Sequence, residues 1–187
     1  MNIRTSISDD DIESLAKDTN SIIACNHRSL LDGFVLMDTI PDEKWFTFAS
    51  KKELFDSPLL RTGFVAADLV KIDRASGRSA MQELTRAVVD MPSRRSAVMF
   101  VEGTRSTGSS LGNFKAGVVV SARKSGRKIR PIVIRHSDRL MPKGKRIPRA
   151  GTVEVCVLPA FDCDLNATVE EDLARLRSKM KDVFDGS

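Results

Sequence analysis

Short apolar runs alternate with segments of helical periodicity along most of this chain, and this alternation limits the folds that it can adopt. A continuous apolar run of about five residues is typical of a strand that is buried on both faces. Residues 21–25 and 97–101 are runs of this kind, whereas Met81, Leu84 and Val88 recur at the spacing of an amphipathic helix. The alternation predicts an α/β domain with a largely parallel or mixed central sheet flanked by helices.

Local signals predict where the elements lie. Strands are expected at 21–25, 45–49, 69–72, 97–101, 129–134 and 153–158. Helices are expected at 29–39, from Ser57, at 79–91, at 114–124 with its end at Gly126, and from Thr168. Thr168 and Glu171 have the spacing of a capping box. Since neither a repeat nor a linker interrupts the pattern, we predict one domain over 1–187, with a motif core at about 21–160 and a C-terminal helix at about 168–184.

Composition excludes several protein classes. The 187 residues are 41% hydrophobic and 29% charged, which is unlike disordered, collagenous or coiled-coil chains. No apolar run approaches the roughly 20 residues that span a bilayer, and the acidic first twenty residues do not resemble a signal peptide. The three cysteines Cys25, Cys156 and Cys163 form no CxxC pair, so neither a disulfide framework nor a zinc site is indicated. We expect a protein of the reducing cytoplasm that has no transmembrane segment and binds no metal.

Positive charge is concentrated in one region. Residues 121–149 contain eleven Lys or Arg and one acidic residue, Asp138. A regional positive field indicates an anionic partner, for which nucleic acid, phospholipid headgroups, a phosphorylated small molecule and an acidic carrier protein are all candidates. A merely solvated cationic loop is an equally good explanation of any single residue in the run.

His27 follows the first predicted strand, and Asp32 lies five positions later. Open α/β sheets place their sites just beyond the carboxyl ends of strands. The two side chains can meet only if the chain turns between them, and Ser29 as a helix N-cap would supply that turn. Asp32 would then reach back to a ring nitrogen and orient the imidazole, as a histidine general base requires. A structural histidine beside a capping aspartate is the alternative interpretation.

A second polar group follows the strand at 97–101. Gly103, Thr104 and Ser106 offer close backbone approach and hydroxyl groups, Arg105 offers two parallel donors for a phosphate, and Glu102 is positioned to hold Arg105. Lys51 and Arg74 follow two further predicted strands. In a parallel sheet all of these residues fall at the same edge as His27, which indicates a general base among cations.

Two better-known motifs fail in the loop at 103–113. A phosphate-binding P-loop would need a lysine where Ser109 stands. Ser110 fits G-x-S-x-G, but it lies well downstream of the strand, and no acidic residue separates it from the next histidine, His136. We therefore expect neither nucleotide hydrolysis nor a serine-hydrolase triad.

The ordered motifs resemble those of the glycerolipid acyltransferases, in particular the bacterial lysophosphatidic acid acyltransferases. Residues 26–32 (NHRSLLD) resemble the H-x4-D block of that family, and residues 101–106 (VEGTRS) resemble its E-G-T-R-S block. Residues 51–54 with 72–74 resemble the intervening block, and residues 130–142 resemble the late proline block. Members often have proline where this chain has Val101, and many carry an N-terminal hydrophobic helix that is not found here.

The resemblance implies transfer of a fatty acyl group from acyl-CoA or acyl carrier protein to the free hydroxyl of a lysophospholipid, 1-acyl-glycerol-3-phosphate above all. His27 would be the general base, Asp32 would orient it, no acyl-enzyme would form, and no metal or bound cofactor would be needed. Glycerol-3-phosphate and a lyso-aminolipid are alternative acceptors. The residues implied in holding the phosphorylated acceptor are Asn26, Arg28, Ser29, Lys51, Arg74, Glu102, Gly103, Thr104, Arg105 and Ser106.

The partners expected from these motifs are the lysophospholipid, the acyl donor and a membrane surface. We expect peripheral association with the inner face of the cell membrane through residues 121–149, with Phe55, Leu59 and Leu60 alongside. A non-catalytic module that binds anionic lipid or nucleic acid through the same basic region is the alternative of another class. Aromatic residues make up only 5% of the chain and tyrosine is absent, so base-stacking surfaces are scarce and we do not expect a nucleic-acid partner.

Overall fold

The computed structural model describes residues 3–51, 69–72, 78–145 and 147–186, apart from the side chains of residues 50, 51, 71, 72 and 78. The strands in this part of the chain are β1 (Ile3–Ser6), β2 (Ser21–Cys25), β3 (Phe46–Lys51), β4 (Val70–Ile72), β5 (Ser96–Phe100), β6 (Lys128–Arg135) and β7 (Gly151–Val157). The helices are α1 (Asp9–Lys17), α2 (Leu31–Thr39), α3 (Arg78–Val89), α4 (Gly117–Ser125), α5 (Ser137–Leu140) and α6 (Val169–Asp185).

The strands form one mixed sheet in the order β1-β7-β6-β2-β5-β3-β4. The five strands β6, β2, β5, β3 and β4 run parallel to one another. Strand β7 is antiparallel to β6, and β1 is parallel to β7, so these two strands at one edge run against the rest. The prediction of a largely parallel or mixed sheet is confirmed.

A short, largely apolar run forms the centre of the sheet. All five residues of β2 are buried, and the strand is paired on both sides, with Ile23 opposite Val98 of β5 and Ile22 opposite Ile129 of β6. Both faces of β2 and β5 are covered, which is why the sequences of these two strands are largely apolar instead of alternating. The carboxyl ends of β2, β5 and β6 consequently meet at one edge.

Helices cover both faces of the sheet. On one face, α3, α4 and α6 contribute Val88, Val118 and Leu176 to a core with Ile22 and Met99. On the other face the core is built around alternate strand residues with side chains from α1, α2 and α5; its members include Leu15, Ile23, Val35, Ile132 and Leu140. Because successive strand residues point to opposite faces, β2 supplies Ile22 to one core and Ile23 to the other.

Two helix boundaries confirm signals in the sequence. Thr168 is the N-cap of α6, and its hydroxyl and the Glu171 carboxylate form the reciprocal bonds of a capping box. Helix α4 ends at Gly126, which has the left-handed φ of 66° that glycine adopts without strain. The helix predicted from Ser57 lies outside the described residues, as do Phe55, Leu59 and Leu60.

The first twenty residues form structure that the sequence analysis did not predict. Strand β1 extends the sheet beside β7, and α1 begins at an N-cap serine, Ser8, whose hydroxyl accepts from the Asp11 amide. Three acidic residues in the first turn of α1 stabilise the helix, because their negative charges interact favourably with the positive end of the helix dipole. One of them, Asp11, also accepts a hydrogen bond from the Val157 amide at 3.1 Å. The acidic run therefore belongs to the fold.

Candidate active site

The chain leaves β2 through a loop that is tied to the neighbouring strand. The Asn26 side chain donates to the Ile134 carbonyl at 2.8 Å and accepts from the Ile134 amide at 2.7 Å. Both groups are buried, so Asn26 prolongs the pairing of β2 with β6 by one residue through its side chain. His27 is thereby held directly beyond the carboxyl end of the sheet.

His27 and Asp32 meet as the sequence predicts. One oxygen of Asp32, Oδ2, lies 2.8 Å from His27 Nδ1 and also accepts from the backbone amides of Arg28 at 2.6 Å and Ser29 at 2.8 Å. Asp32 is completely buried, and the His27 side chain is 17% exposed. A carboxylate bonded to Nδ1 directs the other ring nitrogen, Nε2, to any reaction partner.

The turn that brings them together differs from the expected one. Ser29 is not the N-cap of α2: the helix starts at Leu31 after Leu30, and Asp32 is its second residue. The Ser29 hydroxyl instead donates to the Met141 carbonyl at 2.8 Å and accepts from the Leu31 amide at 3.2 Å. The expectation was wrong because the Ser29 hydroxyl donates its hydrogen bond to a carbonyl that is distant in sequence, which the local sequence cannot reveal. The Asp32 carboxylate accepts from the amides that precede the helix.

The imidazole lies against an aromatic ring from the next strand. The ring centroids of His27 and Phe100 are 4.0 Å apart, and the planes are inclined by 20°. Phe48 of β3 stacks on the far side at a centroid distance of 6.3 Å from Phe100. The sequence analysis did not select Phe100. An aromatic residue at the end of a buried strand next to the predicted site could have indicated it. The stack and the Asp32 bond together fix the orientation of the histidine.

Residues 102–106 clasp the backbone of His27. Glu102 Oε1 accepts from the His27 amide at 3.1 Å, and the Ser106 amide donates to the His27 carbonyl at 2.9 Å. Glu102 Oε2 accepts from the Gly112 amide at 2.9 Å. The expectation that Glu102 holds Arg105 is therefore corrected, because both oxygens of this buried carboxylate bind backbone amides.

The tip of this clasp is the accessible part of the site. Gly103 turns the chain with a φ of 70°, Thr104 is exposed, and Arg105 and Ser106 are half-buried. The Lys143 ammonium donates to the Arg105 carbonyl at 3.1 Å and adds a cation that the sequence analysis did not single out. Residues with hydroxyl groups and cations thus lie on, or bind, the loop that is hydrogen-bonded to the His27 backbone.

Arg28 is directed into the protein. It is buried, and its guanidinium donates to Asp138 at 2.6 Å, to the Ser110 carbonyl at 3.2 Å and to the Gly108 carbonyl. The ring of Phe184 lies 5.3 Å from the guanidinium carbon. In this arrangement the predicted acceptor-binding cation holds the glycine- and serine-rich loop instead.

Of Lys51 and Arg74, the structure describes only the Lys51 backbone. Lys51 is the last residue of β3, a strand parallel to β5, so its backbone lies toward the same edge as His27. Its side chain and the whole of Arg74 lie outside the described residues.

Much of the positive charge predicted at 121–149 is neutralised within the fold. Arg123 binds Asp172 at 2.6 Å, Arg130 binds Asp18 at 2.7 Å and Arg135 binds Glu154 at 2.5 Å. Arg127 is buried and donates to backbone carbonyls. Among the residues that the structure describes between β6 and β7, the exposed cations are Arg139, Lys143, Lys145 and Arg149.

A cavity of about 570 Å³ lies at the opposite edge of the sheet. It is bordered by the end of α1, the start of β6 and residues after β7. Burial alone would raise the pKa of Asp18 in its wall, but hydrogen bonds from Ser21 and Arg130 outweigh burial and lower that pKa. Since Asn20 at its rim precedes β2 whereas His27 follows it, the cavity does not belong to the His27 site.

In the described part of the chain, no three His, Cys, Asp or Glu side chains are grouped so as to hold a metal ion. In the same residues, no helix combines the length and apolarity needed to cross a bilayer.

Comparison with known proteins identifies the family. The family model of the acyltransferases matches residues 6–135, which contain both the His27 loop and the clasp. The chain belongs to this family. The match starts before the motif core expected at about 21–160 and includes α1.

Curated relatives of this acyltransferase-family chain carry a more specific name. It is 32% identical over 143 residues to the 1-acyl-sn-glycerol-3-phosphate acyltransferase LPAT1 of Arabidopsis thaliana chloroplasts, covering 76% of the chain and 39% of the relative. It is 27% identical over 150 residues to the 1-acyl-sn-glycerol-3-phosphate acyltransferase of Borreliella burgdorferi, covering 80% and 59%. The chain thus spans less than two thirds of these two relatives.

A solved structure shares the fold. The crystal structure of the 1-acyl-sn-glycerophosphate acyltransferase PlsC from Thermotoga maritima superposes with a TM-score of 0.78 at 22% identity, covering 98% of this chain and 71% of that one. The layered α/β architecture described above is therefore that of an acyltransferase-family member.

Proposed function

We propose that this chain catalyses acyl transfer to the free hydroxyl of 1-acyl-glycerol-3-phosphate, giving phosphatidic acid, with acyl-CoA or acyl carrier protein as the donor. The observation that carries the proposal is the 2.8 Å contact between His27 Nδ1 and the buried Asp32 carboxylate at the carboxyl edge of the sheet. The names of the curated relatives support the choice of acceptor. Glycerol-3-phosphate and a lyso-aminolipid are the acceptors that the assay below distinguishes from it.

In the proposed reaction His27 is the general base. Its Nε2 takes the proton of the acceptor hydroxyl as that oxygen attacks the thioester carbonyl; the new C–O bond forms, the C–S bond breaks, and the proton passes to the departing thiolate. Asp32 keeps Nε2 available and stabilises the imidazolium. The hydroxyl attacks directly, so no acyl-enzyme is formed, and no metal or bound cofactor takes part.

Two groups of residues support this chemistry in different ways. We assign the acceptor phosphate to the accessible tip of the clasp, at Gly103, Thr104, Arg105 and Ser106, with Lys51 and Arg74 as further cations predicted from sequence. Asn26, Arg28, Ser29 and Glu102 are positioning residues in this proposal, because all four are buried and hydrogen-bonded to the protein's own groups. The revised assignment changes what four of the predicted residues touch.

Thiol release from palmitoyl-CoA and palmitoyl carrier protein, measured over a panel of phosphorylated and unphosphorylated acceptors, tests the proposal. We expect His27→Ala to lower kcat by about 10²- to 10⁴-fold, the usual contribution of a general base. Asp32→Asn should lower kcat less, and Arg105→Ala should chiefly raise the KM of a phosphorylated acceptor.

His136→Asn is the matched control, because His136 is the second of two histidines and has a left-handed φ of 69° that asparagine tolerates. Its turnover should equal that of the wild type. Full turnover by His27→Ala would refute the general-base role of His27, whereas no turnover by the wild type on any acceptor would favour the non-catalytic lipid-binding alternative.

We also propose that the protein acts at the inner face of the cell membrane as a peripheral protein. The acceptor and the product are both lipids. If the edge of the sheet that carries His27 faces a leaflet, each lipid has only a short distance to move between the membrane and the site.

A further inference from the structure

Helix α2 is apolar around most of its circumference. Leu31, Val35 and Leu36 are buried in the core beneath it. Its opposite side carries Leu30, Phe34 and Met37, with Leu30 at the N-cap. A helix that is apolar all round is normally covered all round, so the outer side of α2 has the composition of a contact surface.

Leu30, Phe34 and Met37 form a continuous line, which we name the α2 stripe. They follow one another at i, i+4 and i+7 and therefore share one helical face. Their exposed fractions are 49%, 69% and 58%. The stripe begins three residues after His27 and runs away from the active-site edge.

A cluster of cations lies at the same edge. Residues 139–145 and 147–149, which we name the cationic loop, hold the exposed side chains of Arg139, Lys143, Lys145 and Arg149. Ile147 within this loop is 83% exposed. An apolar side chain among cations is the composition of a segment that binds an anionic lipid surface.

Several contacts hold the cationic loop beside the start of the α2 stripe. The Ser29 hydroxyl, adjacent to Leu30, donates to the carbonyl of Met141 at 2.8 Å. Leu140 and Met141 also pack in the same core as the inner face of α2. The stripe and the loop are consequently on the same side of the sheet.

The catalytic edge is joined to both features. Lys143 reaches the Arg105 carbonyl in the clasp at 3.1 Å, and Arg28 binds Asp138, which precedes the loop, at 2.6 Å. His27, the stripe and the loop are therefore linked through direct contacts.

We propose that the α2 stripe and the cationic loop form one docking face for a lipid leaflet that contains anionic headgroups. The apolar side chains enter the boundary between headgroups and acyl chains, and the cations bind the headgroups. An acidic carrier protein would need the cations alone, whereas a leaflet requires both. The inference rests on the proposed function in one respect: a lipid acceptor gives His27 a reason to face the leaflet.

The charges of α2 set the orientation of the docked protein. Asp38, Asp42 and Glu43 are exposed at the far end of the helix. An anionic surface repels them, so the end of α2 next to His27 lies against the leaflet and the far end is raised. This orientation also differs from the docking expected through all of 121–149, because Arg123, Arg127, Arg130 and Arg135 are engaged within the fold.

Vesicle flotation with the full chain tests the proposal. The vesicles contain phosphatidylcholine alone, or phosphatidylcholine and phosphatidylglycerol in equal parts. We expect the double variant Phe34→Gln, Met37→Gln to bind both kinds of vesicle about tenfold or more weakly. The two large apolar side chains that wild-type binding transfers from water into the leaflet are then absent. Lys145→Glu with Arg149→Glu should abolish the preference for the anionic vesicles, and added salt should mimic this effect.

Two double variants serve as matched controls. Val89→Gln with Leu165→Gln removes exposed apolar side chains outside the stripe, and Arg94→Glu with Lys124→Glu reverses exposed cations outside the loop. Both should bind vesicles as the wild type does. Turnover on a short-chain acceptor dissolved as monomers should be unchanged in all four double variants.

Three outcomes would overturn the docking face. In the first, the stripe variant binds vesicles as the wild type does. In the second, the wild type sediments as a dimer and only the stripe variant sediments as a monomer, which would make the stripe an interface between copies. The loop variant could lose turnover only with the carrier-protein donor while vesicle binding is unchanged. Failure of the proposed function is separate: His27→Ala should lose turnover and still float with the vesicles.

Discussion

At the scale of single residues, Glu102 connects two parts of the active site. One of its oxygens accepts from the His27 amide and the other from the Gly112 amide, and the carboxylate is buried. Gly112 lies so close that a Cβ atom there would overlap Oε2 of Glu102. The glycine is required for space at this position, and the placement of the loop that carries His27 depends on it.

We predict that Gly112→Ala displaces the Glu102 carboxylate. The cost of the overlap should lower the free energy of unfolding by about 1–3 kcal/mol. Because the His27 amide would lose its bond to Glu102 while the imidazole remained, kcat should fall by about tenfold or more with little change in the KM of the acceptor. Urea unfolding and steady-state kinetics measure the two effects.

Gly117→Ala is the control for this variant. A Cβ atom at Gly117 would lie at an ordinary 3.7 Å from Leu84, so its stability and turnover should stay near those of the wild type. Unchanged kinetics in a folded Gly112→Ala protein would show that Glu102 does not position His27.

At the scale of elements, α4 and α6 are joined by a buried ion pair. Asp172 in the first turn of α6 is almost completely buried and accepts from Arg123 at 2.6 and 2.9 Å. Burial alone would raise the pKa of Asp172, but hydrogen bonds from Arg123 and from the Asp164 amide outweigh it and hold the pKa below its ordinary value. The carboxylate is thus ionised more readily in the folded chain than in the unfolded one.

We predict that Asp172→Asn lowers the free energy of unfolding by about 1.5–3 kcal/mol at neutral pH, the range for hydrogen bonds to charged groups. Because the folded-state pKa is depressed, this contribution is complete above the unfolded aspartate pKa of about 4 and is lost as the pH falls through the folded-state value. Urea titrations at descending pH should therefore bring the variant and the wild type together in acid. Asp182→Asn, an exposed change on the same helix, should differ little from the wild type, and a gap between Asp172→Asn and the wild type that persists in acid would refute the account.

Elements whose signals are local were predictable from the sequence. Strand β2 has the predicted bounds, and the Thr168 capping box is present. Both features are determined by residues that are neighbours in the sequence. Ser29 and Glu102 were misassigned because their partners, Met141 and Gly112, lie far away in sequence or across a loop. Strand β1 was not predicted because it is four residues long and Ile3 is its one apolar residue, which is too little for a recognisable pattern; it is paired with β7.

At the scale of the whole molecule, the site depends on the centre of the sheet. Strand β2 lies between β5 and β6 and ends at Cys25, two residues before His27. The motifs that the sequence analysis placed at one edge converge there because β2, β5 and β6 are parallel.

The thiol of Cys25 reports whether this edge opens independently of the rest. Burial, with the negative charges of Asp32 and Glu102 adding to it, raises the pKa of Cys25 well above the ordinary thiol value. Burial also raises the pKa of Cys156, and burial with the charge of Asp172 raises that of Cys163 to about 11. The thiolate is the form that reacts with alkylating reagents, so all three thiols should react slowly in the native protein.

We predict that, in a Cys156→Ser and Cys163→Ser background, iodoacetamide labels Cys25 only as the whole sheet unfolds. The labelled fraction should follow the urea transition measured by far-ultraviolet circular dichroism, because Cys25 is inaccessible until β2 separates from its neighbours. Fully unfolded protein in concentrated urea supplies the control rate for an accessible thiol. Labelling well below the unfolding midpoint would instead show that the end of β2 opens locally, and the His27–Asp32 pair would then be assembled for only part of the time.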